Sequence, residues 1–201
     1  MFGVSFAILQ KLKKEIGQDQ ALADALWASG NHDARMLATM TADPAKMAAK
    51  ELEAWAADLD NYVVADAFSR LAAQSSAGRA LMQRWIRSRD EWRSSAGWNV
   101  LTQLLKNDRL ATKELQQKLV EIQTRIHQAP NRTRYAMNMA LISIGCVDGL
   151  HEKAVLAARR IGKVDVDHGE TGCETPDAES CIAKTLVRRE SYGVRLDAPD
   201  N

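Results

Sequence analysis

The stretch "LDNYVVADAFSRL", Leu59 to Leu71, decides how the rest of the chain is read. Its apolar residues Val63, Ala67 and Leu71 recur every four positions, the spacing of one helix face rather than the alternation of a strand. Asp60 or Asn61 stands where an N-cap belongs, and the pattern runs on to about Gln74. Tyr62 and Asp66 are also four apart and therefore share one face. Asp is a poor interior helix residue, because its short side chain competes for backbone groups. Two accounts are open: a carboxylate on a solvated or salt-bridged face, or a Tyr–Asp pair set on a working surface. An unpaired buried carboxylate is costly, so the first stands unless something calls for the second.

The same period extends in both directions. "FAILQKLKKEIG" reads as a helix ending at Gly17, and "QALADALWAS" as one ending before Gly30. In "NHDARMLATM", Asn31 is the cap, Asp33 sits in the first turn, and Met36, Leu37 and Met40 form the buried stripe. "DPAKMAAKELEAWAADL" starts with Asp43 as cap and Pro44 at the first helical position. Further helices are predicted over 77–88, 90–106, 112–127, 131–146 and 151–161, and Thr175 with Pro176 begins a last one. Ten or so short helices with brief connections mean an all-α fold. Helix pairs recur about every 35–45 residues, the period of HEAT-type repeats. The expectation is HEAT-like helical repeats forming a curved α-α superhelix, with a compact bundle as the competing architecture. Residues 1–189 are expected to form a single domain, and 190–201 an irregular tail.

Composition agrees with a globular, helix-rich chain. Of 201 residues 46% are hydrophobic and 26% charged, and glycine (11) and proline (4) are sparse. Three cysteines without a CxxC pair suit a reducing compartment better than a disulfide framework. The apolar opening "MFGVSFAILQ" precedes its lysines, the wrong polarity for a signal peptide, and no run reaches membrane-spanning length. A cytoplasmic protein with no membrane partner is expected. The net charge of +1 hides a basic middle. Residues 79–134 carry 12 Lys and Arg against 5 Asp and Glu, between flanks that are each −3. Such a middle is a footprint for a polyanion, although solvated helix faces also collect cations.

Four blocks then carry a resemblance. They are "ALADALWASGNHDARMLATMTADP" at 21–44, Trp55 with "DLDNYVVADAF" at 58–68, "RDEWRSSAGWNVL" at 89–101 and "YAMNMALISIG" at 135–145. Their order and spacing, over about residues 2–190, resemble the bacterial DNA alkylation repair family of HEAT-like-repeat alkylpurine DNA glycosylases. The most telling block is Leu26-Trp27 followed by Asp33 to Ala38. Members of that family usually begin with an additional helix, and this chain opens partway through that region at "FGVSF", as a short start or as part of a longer protein.

The resemblance implies a concave basic surface that holds duplex DNA, and hydrolysis of the glycosidic bond of positively charged N-alkylated purines. Such a base leaves readily, so a fixed carboxylate that stabilises the developing sugar cation suffices. No metal or nucleotide cofactor is implied. Carried over residue by residue, the catalytic acid falls on Asp66, the first aromatic of its motif on Tyr62 and the neighbouring aromatic on Val63. The phosphate-holding Arg falls on Ser95, and the second lesion-flanking Trp on Met139. Serine does not neutralise a phosphate, and methionine makes no rigid wall. Arg84, Arg87, Arg89, Arg93, Arg132 and Arg134 complete the candidate DNA contacts. A DNA glycosylase and a non-catalytic module that binds DNA structures or a protein partner are both open readings.

Other features have plainer accounts. Asp165, Asp167, His168, Cys173 and Cys181 lie close in sequence, but their spacing matches no zinc ligand pattern, so turn and cap roles come first, with Asp167 and Glu170 satisfying backbone N–H groups. His32 and Asp33 are adjacent on a helix and do not face each other. Arg35 reads as an ion-pair partner, and Trp85, Trp92 and Trp98 as core. No Walker loop, dinucleotide fingerprint or nucleophile elbow is present.

Overall fold

Local capping chemistry places several helix starts in the first half of the chain. Ser5, Asp19, Asn31 and Asn61 each accept a backbone N–H from the first turn of the helix they precede. The resulting helices are α1 (Phe6–Ile16), α2 (Gln20–Ala28), α3 (His32–Thr41) and α5 (Tyr62–Gln74), with α4 (Ala49–Ala57) between the last two. There follow α6 (Gly78–Trp85), α7 (Glu91–Leu105), α8 (Thr112–Arg125), α9 (Asn131–Gly145), α10 (His151–Ile161) and α11 (Ala178–Tyr192). The computed structural model describes residues 3–106 and 110–192, and among these there is no strand. The fold is all-α.

Two local expectations are corrected by packing. The fourth helix starts at Ala49, five residues later than the Asp43–Pro44 signal places it. Asp43 instead caps a turn, accepting from the Ala45 N–H at 3.0 Å. Breaking the helix there lets Met47 sink to 1% exposure, while the Gln20 side chain bonds the Asp43 N–H at 3.0 Å and lies 3.2 Å from the Met47 sulfur. At the last helix the cap is Asp177 rather than Thr175, because the Pro176 carbonyl is held by the Asn138 amide at 2.8 Å. α11 runs to Tyr192, into the region expected to be irregular, and 193–201 lie outside the described residues.

The chain divides into two compact units, Met1–Val100 and Leu101–Asn201. In the first, α3 packs on α1, α2 and α5, and α5 also meets α4 and α6. Its core is an aromatic row. Trp27 stacks on Trp55 at 4.2 Å between ring centroids with the planes 7° apart, and Phe68 lies against both Trp27 (6.0 Å) and Trp85 (5.5 Å). Trp27 donates to Asp58 at 3.0 Å, and the Arg35 guanidinium lies 5.2 Å from its ring centroid. Arg35 also donates to the Asp58 carbonyl at 2.9 Å and pairs with the Asp58 and Asp60 carboxylates at 3.8 and 3.9 Å, the ion-pair role expected of it. Trp85 and Trp98 are buried as expected, and Trp92 is half-buried. In the second unit α9 packs on α8, α10 and α11, and α10 also meets α8 and α11.

Gly97 lets α7 approach the α6 end closely. A Cβ there would lie 2.6 Å from the Ile86 nitrogen and 3.0 Å from the Trp85 Cβ, with main chain that has no room to yield. Gly97→Ala gains about 1 kcal/mol of helix propensity yet should destabilise by about 1–3 kcal/mol from overpacking. Urea unfolding reads the sign, and a stabilised variant would mean that α6 and α7 do not touch in this way.

Candidate nucleic-acid interface

Helix α5 is buried almost all round. Val64, Ala65, Phe68, Ser69 and Ala72 are fully inside, and Ala67, Leu71 and Ala73 nearly so. The burial is centred on Val64 and Phe68 rather than on the predicted Val63 stripe, and Val63 itself is half-buried. What α5 leaves open is a stripe at four-residue steps: Tyr62, Asp66, Arg70 and Gln74. Tyr62 is 45% exposed at the first turn, and Asp66 is half-buried one turn on. The structure therefore brings the predicted Tyr–Asp pair onto the one exposed line of an otherwise internal helix.

The Asp66 carboxylate is anchored from a different helix. Asn99 on α7 donates its side-chain amide to Asp66 Oδ1 at 2.7 Å. The same two helices are tied by Ser69, whose hydroxyl donates to the Ala65 carbonyl at 2.6 Å and approaches the Ala96 carbonyl at 3.3 Å. Sequence reading missed Asn99. The only signal was its place in "WRSSAGWNVL", one turn beyond Ser95. Ser95 itself is 3% exposed, buried beside Ser94, whose hydroxyl donates to the Ile86 carbonyl at 3.3 Å. A phosphate-contacting role for Ser95 is not carried forward.

The arginines divide by what already holds them. Arg84 is paired with Glu53 at 2.5 Å, and that carboxylate also accepts from the Trp85 indole at 2.8 Å. Arg93 is half-buried, with its Nε inside and without a hydrogen bond. Arg87 and Arg89, in the α6–α7 connection, are exposed and make no ion pair among the described residues.

In the second unit one face of α9 holds the irregular segment 163–177. Asn131 grips Asp167 at both its N–H and its carbonyl, each at 2.7 Å, and Asn138 holds Pro176. Arg134 donates to the carbonyls of Asp165 at 2.7 Å and Ala129 at 3.1 Å, so its guanidinium is engaged with the main chain. Tyr135 meets the edge of His168 at 5.5 Å, and the Arg132 guanidinium lies 4.7 Å from the centroid of the Tyr135 ring. His168 bonds the Thr175 hydroxyl at 3.0 Å, and Asp167 accepts the Gly169 N–H at 2.8 Å, a turn role of the kind expected. Met139 is half-buried on α9.

Beside this segment lies a cavity of about 780 Å³. Its cations are neutralised locally. Arg159 donates to Glu179 at 2.6 and 2.9 Å, which holds the Glu179 carboxyl below its ordinary range and raises the guanidinium. Lys163 lies 2.8 Å from Asp165 and lowers that carboxyl in the same way. The Ser180 hydroxyl and N–H lower the Asp177 carboxyl. No group of three or more His, Cys, Asp or Glu among the described residues is placed to hold a metal ion. No helix of the described residues is long and apolar enough to cross a membrane.

The chain's relatives agree with this architecture. A solved structure from "a new family of proteins related to the HEAT-like repeat DNA glycosylases with affinity for branched DNA structures" is similar with a TM-score of 0.86 and 32% identity, over 93% of this chain and 82% of that one. That likeness decides for HEAT-like repeats over a compact bundle. The uncharacterized protein Lin0241 of Listeria innocua is 31% identical over 94% of this chain and 84% of its own length. Lmo0209 of Listeria monocytogenes is 32% identical over the same shares. The profile of the family described as DNA alkylation repair enzyme matches residues 1–164, and the chain belongs to that family.

Proposed function

We propose that this cytoplasmic protein binds DNA through the α5 stripe and the α6–α7 connection, prefers branched DNA to linear duplex, and does not excise bases. One observation carries the absence of excision: Ser95, which stands where the family resemblance expects a phosphate-holding Arg, is buried at 3% exposure. That position therefore offers no guanidinium to fix a lesion-bearing strand. Binding itself is supported by Arg87 and Arg89, which are exposed, make no ion pair among the described residues and belong to the same unit as that stripe. The branched-DNA affinity of the family represented by the solved relative supports the choice of ligand. The duplex arms of a junction supply the phosphates, and no cofactor is required.

Base excision is the second reading. It is favoured by the Asp66 carboxylate, held by Asn99 on the open stripe with Tyr62 one turn away. One pair of assays separates the two. A labelled four-way junction and a linear duplex of the same length are titrated with protein, and release of methylated purines from alkylated duplex is followed in parallel. Tighter junction binding with no base release, in both native protein and Asp66→Asn, is the expected outcome. Release that disappears in Asp66→Asn moves the function to excision. Equal, weak binding of both DNAs removes the structure-specific reading.

A further inference from the structure

Helices α8 and α10 pack together in the second unit and leave a groove of about 310 Å³ between them. Its α8 wall is Gln116, Leu119, Val120 and Gln123. Its α10 wall is Lys153, Leu156, Ala157 and Arg160. Both walls follow one pattern, polar–apolar–apolar–polar at i, i+3, i+4 and i+7, which puts each set on a single helix face. Val120 is 63% exposed and Leu156 48%, although Leu119 and Ala157 beside them are buried. Single exposed apolar residues are ordinary, but two lining one groove with polar ends form a patch that suits a partner.

The charge around the groove is one-sided. Lys153 and Arg160 end the α10 wall about 10 Å apart along the helix, and no carboxylate of the described residues lines the groove. Neither cation makes an ion pair among the described residues. Their neighbours on the same helices are committed: Arg159 to Glu179, and Lys118 and Arg125 to Glu121. A ligand that fits presents an apolar ridge flanked by negative charge.

We propose that the α8–α10 groove docks an acidic amphipathic helix of a partner protein, separately from DNA binding. A helix laid in a groove of this kind reads it through anchors at i, i+3, i+4 and i+7, the spacing both walls present. A second copy of this chain complements it poorly. Among the described residues, α1 also exposes apolar side chains, Phe6, Ile8 and Leu12, but it carries Lys11, Lys13 and Lys14 and would set cations against cations.

The probe is a fluorescein-labelled peptide of about 15 residues, enough for four helical turns. It carries leucines at i, i+3, i+4 and i+7 and glutamates flanking them; a twin has every glutamate replaced by lysine. Fluorescence polarisation against the full chain should show the acidic peptide binding roughly tenfold or more tighter than its twin. Leu156→Asn and Val120→Asn should each weaken it by about tenfold, and Lys153→Glu with Arg160→Glu should invert the preference. Perturbation of the Val120 and Leu156 methyl resonances by the acidic peptide places it in the groove. Equal binding of the two peptides, no saturable binding of the acidic one, or indifference to Leu156→Asn overturns the proposal. Should Lys153→Glu with Arg160→Glu instead abolish junction binding, the groove belongs to the DNA surface and the proposal also falls.

Discussion

Trp27→Ala should lower the free energy of unfolding by about 3–5 kcal/mol, a large part of what a domain of this size has. Trp27 is 2% exposed and sits at the centre of the aromatic row, stacked on Trp55 and in contact with Phe68. Removing the indole deletes its transfer free energy, opens a cavity that Trp55 and Phe68 close only in part, and forfeits the stack. The hydrogen bond to Asp58 is a smaller loss, because that carboxylate is 49% exposed and water replaces the donor. Trp27→Phe keeps a ring in the row and should cost clearly less. Urea midpoints of the three proteins test the ranking. A loss below about 1 kcal/mol for Trp27→Ala would place the centre of this core elsewhere. Because α5 rests its Phe68 on Trp27, the alanine variant should also lose junction binding on warming before the native protein does.

The second large effect is expected on DNA. Arg87→Ala combined with Arg89→Ala should weaken junction and duplex binding together, by about fiftyfold at 0.1 M salt. Each phosphate contact contributes about 0.9 to the slope of log affinity against log salt. Between about 0.1 M and 1 M salt one contact is therefore worth roughly eightfold, and two act multiplicatively. The slope itself should fall by nearly two, which a merely structural loss would not produce. Arg84→Ala is the contrast: its guanidinium is held by Glu53, so the slope should change little. Binding measured from low to high salt gives both numbers. An unchanged slope in the double variant would put the phosphate contacts on other residues and remove the α6–α7 connection from the interface.

The helices and their caps were legible in the sequence because they rest on interactions within four residues. Asn61 capping α5, Asn31 capping α3 and Gly17 closing α1 with a φ of 72° follow from side-chain chemistry at the spot. Family membership was legible for a related reason, since the Leu26-Trp27 and Asp33–Ala38 block is itself the core pattern that unites Trp27 with Arg35. The pairing of Tyr62 with Asp66 on one face followed from the 3.6-residue period alone.

What the tertiary structure decided concerns partners far apart in sequence. Only packing shows that Asn99 holds Asp66, that Ser95 turns inward, and that Arg134 donates to the Asp165 and Ala129 carbonyls. The same applies to α4, whose Pro44 start is overridden by the burial of Met47, and to the Asp177 cap, displaced by the hold of Asn138 on Pro176. The physical reason is that helix period and capping are local energies of about 1 kcal/mol, readable residue by residue. Burial of a large side chain and satisfaction of a main-chain carbonyl are worth as much or more, and depend on which distant segment arrives there.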